Sequence, residues 1–219
     1  MKLPSGWRLP WQPRDDAATS AAWSSRRIGA LIVALLLVFL VGLGIYWSVE
    51  PGFIQSDEPV TALPPGEVTV TALIDVIDVL LHKPGGYLSN DVLPPTIWLD
   101  NIPSWEFGVL VQVRDLSKAL RESFSRSQSQ SSEDRDLALA EPRFNVDHTS
   151  WAVPWPESEY ADGQAFLAAY AARLGPGEGQ DGEFFARADN LRYWLTTVET
   201  RLGSLSQRLS ASVGQRRLD

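Results

Sequence analysis

The sequence has no cysteine, two histidines and one methionine, Met1. Without cysteine there are no disulfides, no thiolate nucleophiles and no thiolate-bound metals. His82 and His148 stand in neither an H-x-x-x-H nor an H-E-x-x-H spacing, the arrangements that turn two side chains of one helix toward a metal. His82 suits a helix C-terminus, where an imidazolium meets the negative end of the dipole. His148 reads as a surface imidazole, and Asp75 and Asp78 as the solvated face of a helix. No phosphate-cradling loop is present, because GPGEG lacks the lysine and the apolar helix start that such a loop needs. Neither a G-x-S-x-G elbow nor an S-x-x-K pair occurs. The residues therefore nominate no catalytic, cofactor-binding or metal site.

Positive charge is also scarce beyond the N-terminus. The chain of 219 residues carries a net charge of −8. Before Ile28 stand Lys2, Arg8, Arg14, Arg26 and Arg27 against Asp15 and Asp16, a local excess of +3, which leaves −11 for the rest. An acidic domain repels phosphate backbones and anionic surfaces, so nucleic acid is excluded as a main partner.

What the sequence does have is one long uncharged run, IGALIVALLLVFLVGLGIYW, from Ile28 to Trp47. As a helix it spans about 30 Å, the thickness of a bilayer's hydrocarbon core. Arg26 and Arg27 abut one end, and Tyr46 and Trp47 suit the headgroup level at the other. The run is too long for a signal-peptide core and no A-x-A cleavage pattern follows it, so an uncleaved anchor in the membrane is expected. Ala30 and Ala34 give it a small-residue face of the kind that packs helices in lipid. After Trp47 the first basic residue is Lys83, whereas Glu50, Asp57 and Glu58 come sooner. Basic flanks stay in the cytoplasm, which predicts a cytoplasmic N-terminus and a large domain across the membrane, in the periplasm if the membrane is a bacterial inner one.

Four regions follow. Residues 1–27 form a cytoplasmic tail in which Pro4, Pro10 and Pro13 preclude a long helix. Residues 28–47 are the transmembrane helix. Residues 48–66 are a linker punctuated by Pro51, Gly52, Pro59, Pro64, Pro65 and Gly66. Residues 67–219 are a helical domain. Its first helix carries Val70, Leu73, Ile74, Ile77, Leu80 and Leu81 at i, i+3, i+4 spacing and stops at Pro84-Gly85-Gly86. A long aromatic connection then packs on the domain. The spacing predicts a second helix from Ser104 as N-cap, with Glu106 in the first turn and Val109, Val113, Leu116, Leu120 and Phe124 on its apolar face. A short helix from Glu133 to Ala140 is expected, capped by Ser132 and ended before Pro142. FNVDHTSWAVPWP reads as a loop with two tryptophans to bury. A further helix runs from Pro156 to Leu174, stopped by Gly175-Pro176. The last helix shows a heptad stripe of Leu191, Leu195, Val198, Leu202, Leu205, Leu209 and Val213. Sparse flanking charge pairs make this stripe the core seam of an antiparallel four-helix bundle in preference to an intermolecular coiled coil. Its last turns overreach the shorter helices, so weak self-association through Leu209 and Val213 is expected. The fold class is thus all-α, a single transmembrane helix followed by a helical bundle domain.

Two polar segments stand out as possible ligand or partner contacts: Arg126, Ser127 and Gln128 in one, Arg187, Asp189 and Asn190 in the other. Amide, hydroxyl and guanidinium groups in such clusters bind extended ligands or satisfy one another.

The strings KPGGYLSNDVLPP, LDN, WEFGVLVQVRD, RSQSQSSED, AEPRF, ARADNL and VETRLGSLSQRLSASVG resemble the bacterial family known as domain of unknown function 2333. The resemblance covers about Gly66 to Arg217. It implies an envelope protein of proteobacteria with no assigned activity and supplies no catalytic residue. It also implies further sequence beyond Asp219, so a C-terminal part of the fold is expected to be missing from this chain.

Two functions fit these features. The first is a membrane-anchored envelope protein that binds or scaffolds other envelope components, protein or glycan. The second is a membrane-tethered hydrolase of envelope polymer, working through a pair of carboxylates beside tryptophan-rich loops suited to stacking on sugars.

Overall fold

The computed structural model describes residues 16–52, 64–127, 131–175 and 179–216, with the side chains of 16–25 and 213–216 outside the description. Every regular element among the described residues is helical, and the fold is all-α. The first helix, α1, spans Asp16–Trp47. It begins well before the apolar run, inside the expected tail. No proline follows Pro13 there, and DAATSAAWSS contains four alanines, the strongest helix formers. Arg26–Trp47, 22 residues, is long and apolar enough to cross a membrane.

The domain opens with α2 (Glu67–His82), entered through Gly66 at a φ of 89°, with the Phe184 ring where a Cβ would lie. Of its expected stripe, Val70, Leu73, Ile77, Leu80 and Leu81 are buried and Ile74 is partly buried against the core. Next comes α3 (Asn101–Ala119), continued by a π turn over Leu120–Phe124. This helix starts three residues before the expected cap. Asp100 is the boundary residue, Pro103 falls in the first turn where a missing N–H costs nothing, and the Ser104 hydroxyl donates inside the helix to Asp100 O at 2.6 Å. Glu106 is consequently wholly buried rather than a first-turn acid. It shares the buried face with Ile102, Leu110, Val113, Leu120 and Phe124, while Val109 and Leu116 are only partly buried against the core.

The short helix α4 (Arg135–Phe144) is capped by Asp134, not Ser132, and runs through Pro142. The Asp134 carboxylate accepts from the N–H groups of Asp136 and Leu137 at 2.9 and 3.2 Å, the geometry that satisfies a free helix N-terminus. Then come α5 (Pro156–Ala172) and α6 (Ala188–Arg216).

Four helices close a ring in which α2 packs on α3, α3 on α4, α4 on α5 and α5 on α2. Cross-links show each pair to be antiparallel. Lys83 at the end of α2 meets Glu106 near the start of α3. Arg121 meets Glu141, and the Arg114 Nη2 donates to Val146 O. Arg143 meets Glu159, while Arg173 meets Asp134 and Asp136. Gln164 reaches Ile74 O at 3.1 Å. The expected four-helix bundle is therefore present, but α4 takes the place that periodicity gave to α6. Leu73, Ile77, Leu80, Leu110, Leu120, Leu137, Phe144, Tyr160, Leu167 and Tyr170 fill its core. Gly163 lets α4 and α5 close up, since a Cβ there would lie 2.6 Å from the Phe144 ring.

One end of the ring faces the last turn of α1. Gly44 abuts Pro95 and Leu99, the Trp47 ring lies against Gly85, and the Asn101 amide donates to Ser48 O at 2.9 Å. The 83–100 connection is pinned there by one buried acid. Glu106 accepts from the Lys83 ammonium, the Ser89 hydroxyl and the N–H groups of Leu88 and Ser89 at 2.8 and 2.7 Å. Burial lowers the Lys83 pKa, and the facing Glu106 carboxylate opposes that shift. With Tyr87 and Leu88 buried, the connection packs on the domain as expected. The expectation that the two tryptophans of the 144–156 loop are buried fails: Trp151 and Trp155 are 70% and 56% exposed.

Candidate partner-binding face

The last helix is 29 residues long, about 43 Å at 1.5 Å per residue. It leaves the ring at the end far from α1 and runs antiparallel to α3. The Asn190 amide donates to Ser123 O at 3.0 Å, Tyr193 lies beside Glu122, and the Arg201 guanidinium holds Asp115 with two bonds of 2.7 and 2.8 Å. The residues facing the ring are thus Asn190, Trp194, Thr197 and Arg201, spaced 4, 3 and 4 along the chain, with Val198 of the predicted stripe half-buried beside them. They make a heptad line of their own, polar except for the tryptophan.

The leucine stripe lies about 100° around the helix from that line. Leu191, Leu195, Leu202, Leu205 and Leu209 are 47%, 50%, 57%, 41% and 67% exposed. The core-seam expectation is therefore overturned. A helix has room for two 4,3 lines, and here the mainly polar one faces α3, the principal neighbour of α6 among the described residues. From Leu202 to Ser212 every residue is exposed. Leu209 belongs to this stretch, and Val213 lies on α6 with its side chain outside the described residues. The opposite side of α6 carries Arg192, Thr196, Thr200, Ser204 and Arg208 along a groove of about 740 Å³. A smaller, mainly apolar cavity of about 390 Å³ separates the root of α6 from the ring, lined by Leu116, Phe124, Phe184, Leu191 and Trp194.

The polar segments singled out in the sequence do come together, but as an internal tie. Arg187 donates to the backbone oxygens of Ser127 and Arg126 at 2.9 and 3.0 Å. The buried Asn190 amide is divided between Ser123 O and Phe185 O. Asp189 is exposed in the first turn of α6, and Gln128 lies outside the described residues. The donors of Arg187 and Asn190 bind main chain at the junction of α3 and α6 and so fix the direction of α6.

Several carboxylates elsewhere are held by structure, including Asp134 and Asp181 in a groove of about 220 Å³ that Glu133 and Glu183 also line. Arg173, at the end of α5, bonds both oxygens of Asp134 at 2.7 Å, Asp136 at 2.8 Å and Asp181 at 2.8 Å. Asp78 pairs with His82 at 3.0 Å, not with Asp75. A groove of about 570 Å³ beside Trp151 is lined by one acid, Asp147. Its carboxylate accepts from the N–H and hydroxyl of Thr149 at 3.0 and 2.9 Å, and those bonds hold its pKa below the usual range. A glycosidase-type site needs a second carboxyl poised as acid, and none lines this groove among the described residues. No group of three metal-ligating side chains converges among them either.

The sequence profile of one family, described as an uncharacterized protein conserved in bacteria (domain of unknown function 2333), matches residues 17–219. The chain belongs to that family, and the match takes in the apolar helix as well as the domain. Comparison with curated proteins and with solved structures gives no match.

Proposed function

We propose that this family member is a single-pass protein of the bacterial inner membrane, with its N-terminus in the cytoplasm and its helical domain in the periplasm, and that it works as a binding scaffold rather than through catalysis. The observation that carries the scaffold reading is the exposed leucine stripe of α6. Five large aliphatic side chains at heptad spacing, extending past the last contact with the domain, are the surface a second amphipathic helix covers. The first occupant is the α6 of another copy. Copies anchored in one bilayer share an orientation, so their α6 helices meet in parallel and in register.

The anchor reading rests on the Arg26–Trp47 segment, whose side chains from Ile28 to Phe39 are exposed and apolar, a surface that water does not tolerate at that length. Arg26 and Arg27 on its N-terminal side support the orientation. An alkaline phosphatase reporter fused after Asp219 is active under this orientation, and a reporter that works only in the cytoplasm would reverse it. For the scaffold reading, sedimentation of the full chain in detergent is expected to show self-association that Leu209→Glu with Val213→Glu abolishes. A monomer unchanged by that double substitution would remove the second copy as occupant.

A further inference from the structure

Outside α1, the exposed large apolar residues of the domain fall mainly into two groups. One is the α6 stripe. The other sits at the opposite kind of place, on the loops at the end of the ring that faces α1. Val92, Leu93, Ile97 and Trp98 are 60%, 72%, 56% and 54% exposed. On the neighbouring loop Trp151 and Val153 are 70% and 83% exposed. The two loops are joined: Asn90 donates to both carboxylate oxygens of Glu157 at 3.0 and 3.1 Å, and the Tyr87 hydroxyl to His148 O at 3.2 Å.

Their position relative to α1 is fixed by contact. Pro95 and Leu99 lie against Gly44, one turn inside the apolar helix, and the Trp47 ring rests on Gly85. The 92–99 loop is therefore level with the final turn of the apolar segment. If that helix crosses a bilayer, the loop stands at the headgroup boundary, where tryptophan and aliphatic side chains are favoured.

We propose that this end of the domain is a bilayer-docking surface, with Val92, Leu93, Ile97 and Trp98 seated in the boundary between headgroups and acyl chains and the Trp151–Val153 loop beside them. The proposal rests on the reading of α1 as a membrane span. The lipid it fits is uncharged overall. Glu50, Asp91 and Asp100 flank the patch and are exposed, and the one lysine nearby, Lys83, is buried on Glu106, so burial of apolar surface and not attraction to anionic headgroups supplies the binding. The consequence is a domain held down on the membrane at a fixed tilt, with α6 carried at a set angle to the bilayer and to its neighbours.

The absence of cysteine makes the test direct. Single cysteines at Gly42, Leu93, Ile97 and Leu139 of the full chain are labelled with an environment-sensitive fluorophore and reconstituted into zwitterionic vesicles containing lipids spin-labelled near the headgroup or deep in the acyl chain. Leu139, 51% exposed on α4, is the water-facing control, and Gly42 reports the span. Expected are strong quenching at Gly42→Cys, shallow quenching with a blue shift at Leu93→Cys and Ile97→Cys, and none at Leu139→Cys, all unchanged by salt. Labels at 93 and 97 that behave like the one at 139, while 42 is quenched, would overturn the docking surface and leave the span standing. A label at 42 that stays in water would overturn the span and the docking surface with it. Shallow quenching at 93 and 97 that needs anionic lipid and disappears in salt would overturn the apolar mode of binding.

Discussion

Two helices of this protein, α2 and α6, carry apolar side chains at the same 3,4 spacing and meet opposite fates. In α2 the stripe from Val70 to Leu81 is buried in the ring. In α6 the leucines of the stripe, from Leu191 to Leu209, face outward, while Val198 between them is half-buried. The difference is not hydrophobicity but company. The fold brings α3 and α5 against α2, whereas α6 packs mainly on α3 and spends that contact on Asn190, Trp194 and Arg201. Periodicity says that a face will be covered. What covers it depends on which other elements the chain brings within reach.

The sharpest way to break the ring side of this comparison is at Glu106. Glu106→Ala leaves the Lys83 ammonium buried without its partner and the N–H groups of Leu88 and Ser89 without an acceptor. The expected loss is about 3–5 kcal/mol, read from denaturant unfolding of the full chain in detergent. Replacing both members, Lys83→Met with Glu106→Leu, should recover most of the ion-pair part of that loss, and a double variant no better than the single would show that the pair is not the source.

Next in size is the contrast between the two stripes. Leu80→Ala should cost about 2–5 kcal/mol, the range for emptying a packed aliphatic site. Leu202→Ala on α6 should cost under about 0.5 kcal/mol under conditions that keep the protein monomeric. Equal losses at the two sites would mean that α6 is buried within the chain after all.

The smallest effect concerns His148, whose ring lies 4.7 Å from that of Phe107. Burial, followed by the nearby Arg114 guanidinium, lowers its pKa. The folded protein therefore prefers the neutral imidazole. Its contribution is complete above the unfolded value of about 6.5 and declines as pH falls from there through the lower folded value. His148→Gln should flatten the stability profile over that window, measured by thermal unfolding at stepped pH, and an unchanged slope would assign it to the carboxylates.

These contrasts also show what was legible from residues alone. The boundaries of α2 and α5 were, because Pro-Gly signals end α2, Pro156 opens α5 and Gly175-Pro176 follows it. The start of α3 was not. Ser104 read as the cap, but Pro103 before it sits comfortably in a first turn, and that shift moved Glu106 from the surface to the core. Its place on the apolar face, four residues from Leu110 and seven from Val113, was the available sign that it would be buried and paired. Asp134 lost to Ser132 as the cap of α4 because both residue types cap helices and only the fold brings Arg173 to the aspartate. At the candidate face, the stripe was legible and its exposure was not, since a second, polar 4,3 line one residue earlier is invisible to a count of apolar positions. That Arg187 meets the main-chain oxygens of Arg126 and Ser127, rather than their side chains, was not legible in the side-chain pattern.

The central claim, that the leucine stripe of α6 is a docking face occupied first by a second copy, is tested most directly by disulfide trapping in native membranes. The chain has no cysteine of its own, so Leu205→Cys and Thr200→Cys each supply one thiol, on opposite sides of α6. In a parallel pair the two 205 positions fall within bridging distance, about 4.4–6.8 Å between Cα atoms, and the two 200 positions do not. The account predicts that mild oxidation converts Leu205→Cys, and not Thr200→Cys, to a covalent dimer. Equal and slow trapping at both positions would contradict it.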